Sequence, residues 1–400
     1  MGIFKFLTVI CLLALATCTG DREDSKQYNQ PMASDPIKIF LAGDVMLGRG
    51  IDQALPFSAS PKIYESYMKD AREYIRLAEK ANGPIPQPVK YDYIWGDAMK
   101  VWEKESPAFK LINLETSITT HNKPWPDKGI QYRMHPENIQ VLQTAGIDHV
   151  SLANNHVLDW GVPGLLETIN TLQLADIPYS GAGTNEKQAS KPSMLNYKNG
   201  RLIIYSYGSP SAGVPAEWAA KTSKPGVNYL PHTGSDQVKS IANQIQAVKQ
   251  PGDIVILSIH WGSNWGYQVP DSHRDFAHQL IDEAGVDLIF GHSSHHPRPI
   301  EVYHNKLIMY GAGDFINDYE GISGYERFRD DLPLMYFPTI DLATGNLLEL
   351  KLVPMQIKNF KLNHPSQEDA RWLFKTINRE SKAYNASFLL NDDGTLSLEK

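Results

Sequence analysis

Five apolar runs in this chain each stop at a residue able to bind a metal or move a proton, and that repetition constrains the fold most. "IKIFLAGD" ends at Asp44, "AFKLINLE" at Glu115, "IDHVSLANNH" at Asn155 and His156, and "DIVILSIH" at His260. "VDLIFGH" ends at His292, with His295 just beyond. Short runs rich in Ile, Leu and Val read as buried strands. Between them lie amphipathic stretches such as "HPENIQVLQTAG", with Pro near its start and Gly at its end, "VPGLLETINTLQLAD", "SDQVKSIANQIQAVKQPG" and "RDFAHQLIDEAG". Strands alternating with helices predict an α/β fold with largely parallel strands. Ligands of such sheets bind beyond the carboxyl ends of the strands, so the five ends point to one site.

The donors at those ends are carboxylates, amides and imidazoles. The only cysteines, Cys11 and Cys18, lie in the first 18 residues, so the body of the chain offers no thiolate. Oxygen and nitrogen donors together suit Mn, Fe or Zn, as one ion or a pair. Each residue alone has a plainer use. Asp44 can be a turn residue, Glu115 a solvated carboxylate, Asn154 and Asn155 turn formers, His156 a buried donor to a carbonyl, and "HSSHH" a surface loop. Five such coincidences at equivalent strand ends argue for the site.

The N-terminus reads differently. "MGIFKFLTVICLLALATC" places Lys5 before an apolar run, Phe6 to Ala16, too short to span a bilayer, which predicts a secretion signal over residues 1–18. "LATC" is similar to a bacterial lipobox, making Cys18 a candidate for lipidation and membrane anchoring; a simple cleaved signal is the alternative. Residues 19–35 read as a flexible tether. The expected localisation is the cell envelope, outside the cytoplasm. A formal charge of −7 and a pI near 6 give no support to nucleic-acid binding. Within the body at 36–330, "SPKIYESYMKDAREYIRLAEKA" predicts a helix inside an insertion, 52–100, placed to cap the site. Beyond 330, "LMYFPTIDLATGNLLELKLVPMQI" predicts a hairpin turning at Thr344–Asn346, followed by a helix in "SQEDARWLFKTINRE", completing the domain over 331–400.

In this order the motifs "GDVMLGR" (43–49), "NLET" (113–116), "LANNHVLDWG" (152–161), "HWG" (260–262), "GHSSHHPRPIE" (291–301) and "YGAGDF" (310–315) resemble the CapA family of capsule and poly-γ-glutamate synthesis proteins. That family is similar to the calcineurin-like metallophosphoesterases. The resemblance implies a layered α/β sandwich with helices flanking central sheets. It implies Asp44, Glu115, Asn155, His260, His292 and His295 as metal ligands, Glu115 standing where the phosphoesterases have a bridging aspartate. His156 is implied as an acid–base residue that binds no metal. The phosphoesterases carry a histidine two residues after the first aspartate, where this chain has Met46, and their closing Gly-His-x-His is stretched here by one residue. A glutamate common after "HWG" is absent, Ser263 and Asn264 intervening before Trp265. Asp314 stands for the usual Asn of "LGNF", and Arg298 for a glutamine.

Around this centre, Arg49 and Arg298 can clamp a carboxylate or phosphate, or form structural ion pairs. Asn154, Trp261 and Asp314 are candidate substrate contacts, Trp261 being equally suited to core packing. Asp159 can orient His156 or, more commonly, cap the next helix. His156, expected to titrate near neutrality, can protonate a leaving group. Two readings follow. One is a metal-dependent hydrolase of an anionic polymer such as poly-γ-glutamate, or of a phosphoester. The other is a non-catalytic metal- or polymer-binding accessory of a membrane polymer synthesis and export complex.

Overall fold

Side-chain alternation along the strands separates three apolar layers. The computed structural model describes Met1, residues 36–198 and residues 200–399. The predicted signal, Cys18 and the tether lie outside the described residues. In β1, Pro36–Val45, the side chains of Ile37, Ile39 and Leu41 enter one core and those of Phe40 and Ala42 another. The strand β2, Phe109–Leu114, runs parallel beside it, followed by β3, His149–Ser151, and β4, Tyr179–Ser180. A second group comprises β5, Ser193–Tyr197; β6, Gly200–Gly208; β7, Ile254–His260; β8, Leu288–His292; β9, Ile300–Tyr303; and β10, Lys306–Met309. The chain then returns to the first group through β11, Asp314–Ile316; β12, Leu334–Asp341; β13, Leu347–Pro354; β14, Phe388–Leu390; and β15, Leu396–Leu398.

The first group forms a nine-stranded sheet in the order β14-β15-β13-β12-β1-β2-β3-β4, with β11 also paired to β1. The second is a six-stranded sheet in the order β9-β10-β8-β7-β6-β5. Ile39, Leu41 and Leu111 of the large sheet share a core with Leu202, Ile256 and Phe290 of the small one, so the two sheets pack face to face. On the outer face of the small sheet, Ile203, Val255 and Leu257 pack on the helices Ser235–Gln246 and Asp271–Asp282. On the outer face of the large sheet, Phe40, Ile112 and Val150 pack on helices drawn from residues 49–174. Each of these buried side chains contributes on the order of 2 kcal/mol by leaving water. The result is an α/β sandwich of helix, sheet, sheet and helix layers, as expected. Both sheets are mixed: the strands carrying the site are parallel, and antiparallel strands fill the edges.

Two expectations change in detail. The helix expected over 60–81 begins only at Arg72 and ends at Asn82. Ahead of it, buried Glu65 is drawn to Arg49 and Tyr74, and Ser60 carbonyl accepts from Arg133, which holds 60–71 out of a helix. The 52–100 segment is mostly part of the outer core, through Ile63, Tyr74, Trp95 and Trp102, and Tyr67 is its residue at the cavity described below. The C-terminal hairpin turns as expected and pairs β12 with β1, extending the large sheet.

Candidate metal centre

The carboxyl ends of β1, β2, β7 and β8 converge, and a bulge aims the first ligand. Opposite β2, Ala42 pairs with Ile112 and Asp44 with Asn113, leaving Gly43 as an extra residue. That insertion flips parity, so Asp44 faces the interior between the sheets rather than the helices. Only glycine fits the position, since a Cβ there would lie 1.9 Å from the carbonyl oxygen of Gly313. Asp44 is fully buried, accepting from Asn113 Nδ2 at 2.7 Å and from the Ser293 amide at 3.2 Å.

Its neighbours are imidazoles. His260 and His292 are directly paired across β7 and β8. Their Nδ1 atoms lie 2.8 Å apart and 4.0 and 3.8 Å from Asp44 Oδ1. His260 Nε2 lies 3.0 Å from Asn155 Oδ1 and 3.8 Å from Glu115 Oε1. Glu115 is buried, and its Oε2 has no hydrogen-bond partner. On the other side, His295 Nδ1 lies 3.0 Å from Asp314 Oδ1, and Asn317 donates to Asp314 Oδ2 at 2.8 Å. Two sets of ligand atoms, Asp44 with His260 and His292, and Asp44 with His295 and Asp314, each fall within 4.8 Å of one another.

The electrostatics favour a cation there. Burial, with the Asp314 carboxylate close by, pushes Asp44 up to about 8, and burial with the charge of Asp44 pushes Glu115 well above the usual carboxylate range. Burial pushes His292 down to about 3 and His260 well below its ordinary value. Neutral imidazoles beside carboxylates that repel one another, one oxygen of them orphaned, are a donor set that fits a divalent ion.

His156 stands beside this set, its Nε2 3.8 Å from Glu115 Oε1. Asp159 accepts from the His156 ring at Nδ1 (2.6 Å), from the Tyr132 amide (2.6 Å) and from Lys128 (2.5 Å). Asp159 therefore orients His156; the following helix, Gly161–Leu174, has no side-chain cap. Tyr132 stacks on the ring at 3.9 Å between centroids. Burial pushes His156 down to about 4 despite Asp159, well short of the expected neutral range. A cavity of about 360 Å³ opens onto this edge, lined by Lys128, Tyr132, Asn155, His156, Trp265 and His295, among others.

Several candidate residues serve elsewhere. Asn154 is fully buried and holds the turn, donating to Leu114 O and accepting from the amides of His156 and Val157. Arg49 reaches the cavity wall but is committed to Asp318 and Glu65, both buried, which leaves it no free face for a clamp. Arg298 donates to Ser263 O and Oγ at 2.7 Å, pinning the 262–265 loop from behind. Trp261 is core: it stacks on His273 and donates to Tyr310 O. Asp314 lies in the ligand cluster, away from the cavity lining. Sequence reasoning missed Lys128 and Tyr132, which sit in an unremarkable "DKGIQY" loop that follows no apolar run, and Asn264, which contacts His295 Nε2 at 2.9 Å.

Behind the ligands runs a buried polar chain. His292 Nε2 meets Ser258 Oγ (2.7 Å), which meets Ser151 (2.7 Å), then Ser206 (3.0 Å), Ser180 (2.7 Å) and His149 Nε2 (3.0 Å). These serines alternate between the sheets, β7 to β3 to β6 to β4, tying the two together.

A sandwich of two face-to-face sheets with carboxylate, amide and imidazole donors gathered beyond the strand ends is metallophosphoesterase-like. Residues 38–319 match the family model of the bacterial capsule synthesis protein PGA_cap, and the chain belongs to that family. It is 45% identical over 372 residues, 92% of this chain and 97% of the relative, to a probable polyglutamine synthesis accessory protein of Mycobacterium tuberculosis. It is 25% identical to the PGA biosynthesis protein CapA of Bacillus subtilis, over 84% of this chain and 76% of that one. The capsule biosynthesis protein CapA of Bacillus anthracis is 23% identical, over 88% and 75% of the two chains.

Proposed function

We propose that this protein acts outside the cytoplasm in poly-γ-glutamate or capsule assembly, as a metal-dependent hydrolase of the polymer. Anchoring through Cys18 would hold it beside membrane synthesis and export proteins. The observation that carries the reading is the buried donor set around Asp44, whose unpartnered Glu115 oxygen and mutually repelling carboxylates ask for a cation. Asp44, Glu115, Asn155, His260, His292 and His295 would hold it. A divalent ion, when bound, supplies an acidified water and polarises the scissile carbonyl or phosphoryl oxygen. The chain's own contribution is proton handling. With Nδ1 hydrogen-bonded to Asp159, His156 presents a bare Nε2 towards Glu115 and the cavity. That nitrogen takes the proton of the attacking water and returns it to the leaving amine as the amide C–N bond breaks. Lys128 offsets the charge of Asp159, and Tyr132 fixes the ring plane.

The second reading, a non-catalytic accessory, is favoured by the relative whose name is an accessory protein. Metal content and hydrolysis of poly-γ-glutamate and of a generic phosphodiester separate the two. Wild type should carry metal and cleave one of these substrates. Asp44→Ala should lose the metal, and His156→Ala should keep it while turnover falls about 100-fold or more. Metal-loaded wild type that cleaves neither substrate supports the accessory.

A further inference from the structure

The first ligand strand lacks the histidine that the phosphoesterase pattern places two residues after its aspartate. Met46 stands there, buried, and its Sδ accepts from the Gly48 amide at 3.2 Å. Asp44 and His295 alone would make a poor second half-site. The fold brings another residue to the place from 270 positions away in sequence. β11 pairs with β1 in parallel, with Asp44 directly beside Asp314 and the Asp44 amide donating to Gly313 O at 3.0 Å. Asp314 is 3% exposed, and its ligand atom lies within 4.8 Å of those of Asp44 and His295. The Asn317 amide and the His295 ring hold its two oxygens, so the carboxylate is fixed before any ion arrives.

We propose that Asp314 is itself a metal ligand, replacing from β11 the donor missing at Met46, so that two ions share Asp44. Asp44 with His260, His292 and Asn155 would hold one ion, and Asp44 with His295 and Asp314 the other. This rests on the metal-dependent reading above but asks a separate question, since one ion at His260 and His292 would satisfy that reading without Asp314. A carboxylate in place of a neutral histidine also adds a negative charge, which favours harder ions such as Mn²⁺ at this half-site over soft ones.

The test is metal stoichiometry, read without turnover. Stripped full-length protein is reloaded with Mn²⁺, and bound metal is counted by elemental analysis, with the coupled Mn–Mn electron paramagnetic resonance signal recorded alongside. Wild type should take two equivalents and show coupling. Asp314→Ala and His295→Ala should each keep one equivalent and lose the coupling, and the double variant should lose no more than either single. His260→Ala should lose the other equivalent. Circular dichroism identifies any variant that fails to fold, and the near-isosteric Asp314→Leu then carries the test in place of Asp314→Ala, with the same outcomes. Two equivalents retained in Asp314→Ala, merely bound more weakly, would make Asp314 an orienting partner of His295 and overturn the proposal. One equivalent in wild type, unchanged in Asp314→Ala, would overturn it while leaving the metal-dependent reading intact. No equivalent in wild type would overturn both.

Discussion

The two sheets bring different chemistry to one site: the large sheet supplies carboxylates, the small sheet imidazoles. The small sheet does so by simple parity. Ile254, Ile256, Ser258 and His260 share one face of β7, and Leu288, Phe290 and His292 share one face of β8, so each histidine continues an interior face. The large sheet works in part against parity. Glu115 continues the face of Leu111 and Asn113, but Asp44 reaches the interior only through the extra residue at Gly43. One half of the site therefore follows from regular strands, and the other depends on a local irregularity.

That contrast predicts where the molecule is fragile. Gly43→Ala drives a methyl against the Gly313 carbonyl, and relief requires separating β1 from β11. Loss of about 5 kcal/mol, or failure to fold, is expected, since backbone cannot yield as a side-chain tip does. On the small sheet, His292→Ala should cost only about 1–3 kcal/mol, chiefly by removing one of the two partners of Ser258. Urea unfolding of both variants decides it. A Gly43→Ala midpoint no lower than that of His292→Ala would mean the bulge is not what fixes Asp44.

The acid limb of stability sharpens the same comparison. His149, on the large sheet at the far end of the serine chain, is fully buried, with Nδ1 unpartnered, and burial pushes it down to about 3. In the unfolded chain it charges below about 6.5, so the unfolded state binds the extra proton first. The neutral native histidine thus contributes stability fully present above pH 6.5 and lost progressively as pH falls towards 3. The total is on the order of 5 kcal/mol. Denaturation midpoints measured across pH 3.5–7 should fall steeply in wild type and less steeply in His149→Gln. Parallel curves for the two proteins would remove His149 from the account.

How much of this was legible in the sequence follows from parity as well. Strand ends at His260 and His292 could be read directly, because apolar alternation runs unbroken to the ligand. Asp44 was legible as a strand end, though not the bulge that turns it inward. Sequence leaves Asp159 open between orienting His156 and capping a helix, because its partners, the ring of His156 and the amide of Tyr132, lie across a loop that no periodicity reveals. The place of Asp314 beside Asp44 is not legible, because the pairing of its strand with β1 spans most of the domain and long-range register leaves no mark in local sequence. Trp261 is ambiguous in sequence between cavity wall and core, and its contacts with His273 and Tyr310 put it in the core; Arg298, read as a clamp or a structural ion pair, instead donates to Ser263. The serine chain was invisible: Ser151, Ser180, Ser206 and Ser258 sit singly in separate strands, each an ordinary small residue until the sheets meet.

That chain supplies the smallest and most discriminating test of how the two sheets cooperate. For His292 to present Nδ1 to an ion, Nε2 must carry the proton and donate to Ser258, whose hydroxyl can in turn donate to Ser151. Ser151 belongs to β3 and Ser258 to β7, so the orientation of a small-sheet ligand depends on a large-sheet hydroxyl. Ser151→Ala leaves every ligand in place and removes that acceptor, together with the Ser151 partner of Ser206. Partners bonded directly to a metal ligand typically matter by about 10- to 100-fold in affinity, and an effect no larger than the lower end is expected one step further out, where Ser258 itself remains. Competition with a fluorescent chelator at fixed pH measures the shift, and Ser258→Ala, one step nearer, should weaken binding more than Ser151→Ala. Equal affinities in wild type and Ser151→Ala would show that the small sheet orients its histidines alone, and the cooperation between the sheets would then end at the shared position of their ligands.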